Sequence, residues 1–475
     1  MMNLNTQYTI AKNWILRSDP SYTPPDTLFD INSGRLLVLS KGLFALLKVF
    51  YFDRVSPSIL INELKDRGIN FDITKILNIE EIVGANVFTT NIQDKCLEDR
   101  KYNLQNLSKN NTLIEKYLAP VSNSPIDVEM HLTHKCNLRC QHCFQESSPT
   151  SDKGEIILSP TEWIDVFKKL EQASVNRIII SGGEPLFYPE FRLLARSIFD
   201  LNISYYILSN GTLITKSMAG LMSKENVTVN ISLDGRSKEL HEILRGRNTY
   251  HRTIRGIENL IESGAKTIIS SVIHKQNRYD LGNFISFLID LGVKEATFGF
   301  IEPLGRAALN KQLLLSQKEE FDDLNLFTEL REKFQPYIKL SFPSLPLTLE
   351  EHLTNSQIVY CAAGTRRLSI ASNGDAYPCI MAFEKPNFFL GNLLRDELND
   401  VWRSEKLNVF RGDLKLETIN GCNTCKMSSY CTYKNCRLKY YSNEYGLLGK
   451  PNNCMKDKVE SLDQGIDILA LVRKL

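Results

Sequence analysis

The sequence lacks an apolar run of the roughly 20 residues that a membrane span needs. Its longest apolar stretch, 36–52, is broken by Lys41, Gly42 and Lys48, so no membrane association is expected. Neither sign of charge is in excess: 57 Lys and Arg stand against 55 Asp and Glu, for a formal net charge of +2. That balance gives no reason to expect nucleic acid or an acidic membrane surface as the main partner. The first residues carry neither the apolar core nor the small-residue cleavage site of a secretory signal, which points to the cytoplasm. No internal repeat is visible. What remains is ordinary globular material: 475 residues, 43% hydrophobic and 24% charged, enough for two to four domains.

Cysteine is also missing over a long stretch, with none between 144 and 360. The eleven that exist are Cys96, a trio at 136, 140 and 143, and seven crowded between 361 and 454. A disulfide scaffold belongs to small secreted chains. Clustered cysteines in a cytosolic chain point instead to metal. Cys96, standing alone, reads as a plain buried residue.

Texture divides the chain. Over 1–95, Thr27–Phe29 and Arg35–Leu39 read as strands around the turn signal Asn32-Ser33-Gly34. An apolar helix over Gly42–Phe52 and a second helix over Ser56–Arg67 follow, and the whole reads as a winged-helix-like domain. Residues 96–124 are polar and read as a linker. Over 125–310, short apolar strands alternate with helices: Val128–Leu132, Arg177–Ile180, Ser204–Leu208, Val227–Leu233, Thr267–Val272 and Glu295–Phe300. Helices at Thr161–Leu170, Phe191–Phe199, Lys216–Met222, 251–262 and 279–290 lie between them. Six such units imply parallel strands with right-handed crossovers, hence an α/β fold with a partial (β/α)6 barrel. Functional groups in such folds collect at the C-terminal strand ends. Residues 311–350 form a bridging segment with a helix at Gln317–Phe334. The cysteine-rich segment 351–475 has little apolar material, so metal is expected to organise it.

The trio Cys136-Asn-Leu-Arg-Cys140-Gln-His-Cys143 follows directly on the first barrel strand. Three thiolates within eight residues can wrap one side of a cubic cluster and leave one of four irons open to a chelating ligand. A zinc site with a distant fourth ligand, or three core cysteines, would give the same spacing. Further motifs follow, each after an expected strand: Ser181-Gly182-Gly183-Glu184-Pro185, Leu208-Ser209-Asn210-Gly211-Thr212, Ser232-Leu233-Asp234-Gly235, Arg245-Gly246 and Pro303-Leu304-Gly305-Arg306-Ala307. Together, over roughly 126–307, they resemble the radical S-adenosylmethionine superfamily. The resemblance implies a 4Fe-4S cluster on Cys136, Cys140 and Cys143 with S-adenosyl-L-methionine on its open iron. Reductive cleavage there releases a 5′-deoxyadenosyl radical. Gly182, Gly183 and Glu184 would meet the methionine amino group, and Ser209 or Asn210 the ribose. Ser232 would contact the cofactor, and Arg245 would pair with the methionine carboxylate, for which its planar fork is suited. Position 142, often aromatic in the family, is His here.

The seven later cysteines run Cys361-x12-Gly374-x4-Cys379, then Cys422-x2-Cys425-x5-Cys431-x4-Cys436, then Cys454. This resembles the SPASM domain, with one extra residue before Cys436. The resemblance implies two auxiliary 4Fe-4S clusters. Cys422, Cys425, Cys431 and Cys454 would ligate the distal one, and Cys361, Cys379 and Cys436 the nearer one. A pair of zinc sites is the alternative, since CxxC pairs suit zinc.

The N-terminal domain resembles, more loosely, the PqqD-like recognition element of enzymes that modify ribosomally made peptides, where a leader peptide adds as an extra strand. This three-part layout implies a maturase acting on a precursor peptide with a leader segment, fed by an electron donor such as flavodoxin or ferredoxin. The implied product is a thioether from a cysteine sulfur to a carbon, as in sactipeptides. Other reactions on the same scaffold (carbon–carbon coupling, sulfatase-type Cys or Ser oxidation, small-molecule maturation) and a non-catalytic zinc-binding role are the competing readings. No single side chain stands out as a general acid or base, and none is required where a cofactor carries the hard step.

Overall fold

The computed structural model describes residues 9–10, 14–18, 26–32, 36–38, 47, 88–89, 124–151, 156–343 and 362–410, together with 419, 422, 436, 438, 441 and 447. Near the N-terminus, β1 (Thr9–Ile10) pairs with β5 (Phe88–Thr89). Strands β2 (Trp14–Ser18), β3 (Asp26–Asp30) and β4 (Leu36–Val38) form an antiparallel sheet in that order. The expected β3–β4 hairpin is present, and Asp30 Oδ1 accepts the Asn32 N–H in its turn. Leu47 is helical and buried. The rest of Gly42–Phe52 and all of Ser56–Arg67 lie outside the described residues, as does the linker up to 123 and Cys96.

The expected barrel strands form a continuous parallel sheet. They are β6 (Asp127–His131), β7 (Arg177–Ser181), β8 (Ser204–Ser209), β9 (Val227–Ser232), β10 (Lys266–Ile273) and β11 (Glu295–Phe300). Each pairs with its chain neighbour in parallel register. In β7 the run Ile178-Ile179-Ile180 is continuous, while β6 and β9 alternate: Val128 and Met130 stand between Asp127, Glu129 and His131, and Val227, Val229 and Ile231 beside Thr228, Asn230 and Ser232. Helices return the chain between strands. The first, α1 (Pro160–Gln172), begins with a capping box: Ser159 accepts from the Glu162 backbone, and the Glu162 side chain accepts from the Ser159 backbone. Pro160 stands at its first position, where no backbone donor is needed. Trp163, Val166, Phe167 and Leu170 recur at helical spacing and are buried against the sheet. Then come α2 (Phe191–Ile198), α3 (Lys216–Met222), α4 (Lys238–Arg245), α5 (Tyr250–Glu262) and α6 (Leu281–Asp290). No helix among the described residues is long and apolar enough to cross a membrane.

The sheet does not stop at six strands. β12 (Lys339–Ser341) extends it beyond β11, and β13 (Arg367–Ile370) pairs in parallel with β6. Antiparallel β14 (Asp375–Tyr377) and β15 (Gly391–Asn392) complete ten strands. Buried Asp127 on β6 fixes that junction. Its carboxylate accepts Nε and Nη2 of Arg177 at 3.2 and 3.1 Å, and Arg366 and Arg367 approach it at 3.6 and 3.9 Å.

This corrects one expectation. The segment after 351 was read as too poor in apolar residues to pack without metal. Over 362–410 it instead contributes Leu368, Ile370, Ala376, Leu393, Leu398, Val401, Trp402, Leu407 and Phe410 to the main core. These residues are scattered among turns, so they show no period in sequence, but β13 carries them onto the edge of the barrel.

At the opposite end of the barrel, the N-terminal rim receives the β3–β4 turn. Asn32 Nδ2 donates to Glu225 Oε2 at 3.2 Å, and Lys266 Nζ donates to the carbonyls of Asn32 and Glu225.

Candidate functional site

The loop after β6 carries the cysteine trio. Cys136 and Cys140 are each 8% exposed and pack with Leu138, while Cys143 lies half-buried against them. Burial, with the Glu184 charge next, pushes the Cys136 thiol up to about 12, although the Leu138 N–H, 3.4 Å from its sulfur, pulls the other way. Burial also raises Cys140, partly offset by the Arg245 guanidinium beside it. Ligation needs thiolates, so loading a metal here releases protons. The loop packs Cys136, Cys140 and Cys143 together, and a four-iron cluster takes one thiolate per iron, so the donor set fits three irons of such a cluster.

Two strand ends fold over this loop. The Gly183 N–H donates to the Thr133 carbonyl at 2.9 Å, and the Glu184 N–H to that of Lys135 at 3.0 Å. A Cβ at Gly183 would press into the carbonyl oxygens of Lys135 and His134, so only glycine allows this approach. Gly182 sits equally tightly against Thr133.

The Glu184 side chain faces away from the loop's backbone. One oxygen accepts Ser209 Oγ at 2.8 Å and the Leu186 N–H at 3.2 Å, and the other accepts the Asn210 N–H at 2.8 Å. Asn210 in turn donates to Asn137 Oδ1 at 2.9 Å, with its amide 3.9 Å from the Cys136 sulfur. Asn137 then reaches Thr212 Oγ1 at 2.8 Å. The expected cofactor contacts Glu184, Ser209 and Asn210 are therefore one network that ends on the cluster loop.

Burial pushes the Glu184 carboxyl up to about 7, against the pull of its three donors and Arg245. For an acid, a raised folded value means that folding holds the proton. Stability should therefore fall as pH rises from about 4.5 to about 7, by about 3 kcal/mol, and stay level above that. Glu184→Gln should remove about that much of the pH-dependence between about pH 5 and about pH 8. Urea-denaturation midpoints of the cluster-free protein at the two pH values measure it. Equal pH slopes in wild type and variant would place the titration elsewhere.

Beneath Cys140 lies a buried ion pair. Arg245, at the C-terminus of α4, donates Nε to Asp234 Oδ2 at 2.6 Å and Nη2 to Oδ1 at 3.4 Å. Asp234 is fully buried and also accepts the Val272 N–H at 2.9 Å. Burial alone would raise its carboxyl, but the Arg245 charge and hydrogen bond, followed by His142 and His241, hold it well below the usual carboxylate range. Burial likewise keeps His142 and His241 neutral, lowering them to about 3 and about 4. Asp234 was legible only as part of a motif whose serine was given the role. Ser232 itself sits half-buried at the end of β9, alongside Ser270 of β10.

Of the seven later cysteines, three fall within the described residues. Cys379 starts the turn Ile380–Ala382, Cys422 is buried against Ile419, and Cys436 is exposed. Cys361, Cys425, Cys431 and Cys454 lie outside the described residues. A cavity of about 460 Å³ opens between the residues that follow Cys143 (Phe144, Gln145, Glu146) and those that follow Cys379 (Ile380, Met381, Phe383, Glu384, Lys385). His131, His134, Asp375 and Tyr377 are also among its walls. It therefore stands at the C-terminal ends of β6 and β13, between two of the expected cluster sites.

Comparison with known proteins follows the same division. A model of the Radical SAM superfamily matches residues 130–288, and one of the SPASM iron-sulfur cluster-binding domain matches 361–426. The antilisterial bacteriocin subtilosin biosynthesis protein AlbA of Bacillus subtilis is 25% identical over 402 residues, covering 80% of this chain and 84% of AlbA. The AdoMet-dependent heme synthase of Methanosarcina barkeri is also 25% identical, over 349 residues, 68% of this chain and 95% of the synthase. The fold resembles that of Streptococcus suis SuiB bound to precursor peptide SuiA, with a TM-score of 0.69 at 17% identity, covering 94% of this chain and 99% of SuiB.

Proposed function

We propose that this chain, which belongs to the radical SAM superfamily and carries a SPASM domain, matures a ribosomally made precursor peptide by closing a thioether from a cysteine sulfur to a carbon. The observation that carries this reading is the cavity between the Cys143 and Cys379 segments. At about 460 Å³ its volume falls in the range of ligand pockets and can hold a few side chains. When bound, the cluster and S-adenosyl-L-methionine supply a 5′-deoxyadenosyl radical that takes a hydrogen atom from the substrate. The chain's own part is to hold and orient. Cys136, Cys140 and Cys143 anchor the cluster. Gly182 and Gly183 bring their backbone against its loop. Ser209 and Asn210, fixed by Glu184, and Ser232 line the cofactor's strand-end shelf. Arg245, steadied by Asp234, offers its remaining donors to a carboxylate.

Cys361, Cys379 and Cys436 would hold the nearer auxiliary cluster, and Cys422, Cys425, Cys431 and Cys454 the distal one. A flavodoxin- or ferredoxin-like protein in the cytoplasm would serve as the electron donor to the enzyme. The N-terminal domain serves as a PqqD-like recognition element, with a leader strand adding at the outer edge of β2 or β4, where no other described strand pairs. AlbA acts in the biosynthesis of a bacteriocin, and SuiB has been captured with its precursor peptide. Both fit a peptide substrate for this chain.

The test is mass spectrometry of a short cysteine-rich precursor peptide coexpressed with this protein. A loss of two hydrogens that survives reduction and alkylation is expected. An unchanged peptide mass sinks the reading.

A further inference from the structure

We infer that Arg306 is a positioning residue that splints the cluster loop and lends its positive charge to the cluster. The loop from 132 to 148 has no helix and, beyond β6, no strand. Its sulfurs must turn inward to the iron, so many of its carbonyls turn outward and need partners from elsewhere. The turn after β11 supplies them. Arg306 donates Nε to the Cys140 carbonyl and Nη2 to that of Ser147, both at 2.7 Å. Its backbone N–H donates to the Cys143 carbonyl at 3.1 Å. Asn310 Nδ2 reaches the Gln141 carbonyl at 2.9 Å and ties back to the Arg306 carbonyl at 3.0 Å. Four acceptors of the loop are thus held by one short turn. Gly305, with φ of 52°, lies so close that a Cβ would strike the carbonyls of Phe144 and Cys143.

The charge has its own consequence. Among the described residues no carboxylate is ion-paired with Arg306, in contrast to Arg245 and Arg278. A four-iron cluster on three thiolates is anionic and gains one more negative charge when a reductant gives it an electron. Nearby net charge is one of the factors that set such potentials. Arg306 therefore favours the reduced state.

The test uses the reconstituted holoenzyme, with Arg306→Lys, Arg306→Gln and Asn310→Ala. Iron release to a chelator is followed optically, and the reduced fraction by electron paramagnetic resonance at fixed potential with dithionite as one-electron donor. Both Arg306 variants lose the two-armed grip and should release iron several-fold faster. Only Arg306→Gln should lower the reduced-to-oxidised ratio, by about tenfold, which is 59 mV for one electron. Asn310→Ala should release iron modestly faster at an unchanged ratio, and it keeps the test open should an Arg306 variant fail to fold. Wild-type iron retention in all three variants overturns the splint. An unchanged ratio in Arg306→Gln overturns the charge effect. The inference rests on a cluster at Cys136, Cys140 and Cys143, and wild-type protein that binds no iron would refute that assignment instead.

Discussion

Asp234→Ala is expected to destabilise the protein by about 3–5 kcal/mol, the usual cost of removing one partner of a buried ion pair. The Arg245 side chain is only 12% exposed, so its charge would be left in the interior with no carboxylate. The Val272 N–H would lose its acceptor as well. Burial works against the Arg245 charge, while Asp234 and Cys140 more than compensate and hold it firmly protonated. Even with Asp234 gone, the guanidinium cannot escape the penalty by losing its proton, because arginine stays charged in proteins. Asp234→Asn keeps an oxygen for Val272 and should cost less than Asp234→Ala. Pairing Asp234→Ala with Arg245→Met removes the stranded charge and should recover most of the stability, because apolar replacement of a whole buried pair is often near neutral. Urea-denaturation midpoints of the four proteins measure this. If Asp234→Ala lies within about 1 kcal/mol of wild type, the pair is solvated in solution and the buried geometry is not what holds α4. The double variant also separates roles. A protein that regains stability but binds S-adenosyl-L-methionine weakly assigns Arg245 to the ligand rather than to the fold.

This ion pair marks where sequence reading stops. The barrel strands were legible as short β-prone runs with apolar residues at alternate positions, such as Val128 and Met130 of β6 and Val227, Val229 and Ile231 of β9, all of them buried. Lys216–Met222, Glu295–Phe300 and Gln317–Phe334 fall where they were expected. Helix α4 was not foreseen. It is two turns long, largely charged, and buries only His241 and Leu244, too little for a period to emerge. Yet α4 is what carries Arg245 to Asp234. The role of Glu184 was hidden for a different reason. Its partners Ser209 and Asn210 stand on the next strand end, and only the parallel register of β7 and β8 brings them together. Arg306 stands in the Pro303–Ala307 motif, but nothing local in a sequence tells which distant carbonyls a guanidinium will find. A charged residue placed directly after an apolar strand, as Asp234 and Glu184 both are, was the available signal. Such a side chain is drawn into the site that the strand ends surround, and it must find a partner there.

Cys140→Ala should abolish formation of 5′-deoxyadenosine, with or without peptide, while Cys422→Ala should spare it and stop the peptide cross-link. The two cysteines are chemically alike, each 8% exposed in a small apolar setting. Their positions separate them. Cys140 lies on the loop gripped by Gly183 and Glu184 from one strand end and by Arg306 from another, with the Arg245 guanidinium beside its sulfur. Each of the three thiolates serves one iron, so removing one leaves an iron without a protein ligand. His142, two residues on from Cys140 in the loop, is held neutral by burial, and among the described residues its Nδ1 has no hydrogen-bond partner. It is therefore the residue to watch as a substitute ligand, and Cys140→Ala combined with His142→Ala should lose whatever iron the single variant retains. Cys422 packs with Ile419, Val409 and Leu447, in the segment that matches the SPASM domain. Anaerobic assays of S-adenosyl-L-methionine cleavage, without peptide and then with it, read out the two steps. Cleavage that persists in Cys140→Ala would remove the trio from the radical chemistry. Cleavage lost in Cys422→Ala would mean that the C-terminal segment supports the barrel's fold rather than electron removal. The packing of 362–410 into the main core makes that second outcome a real physical alternative. Thermal denaturation of Cys422→Ala, run alongside, distinguishes an unfolded barrel from an intact one that has lost only its last electron acceptor.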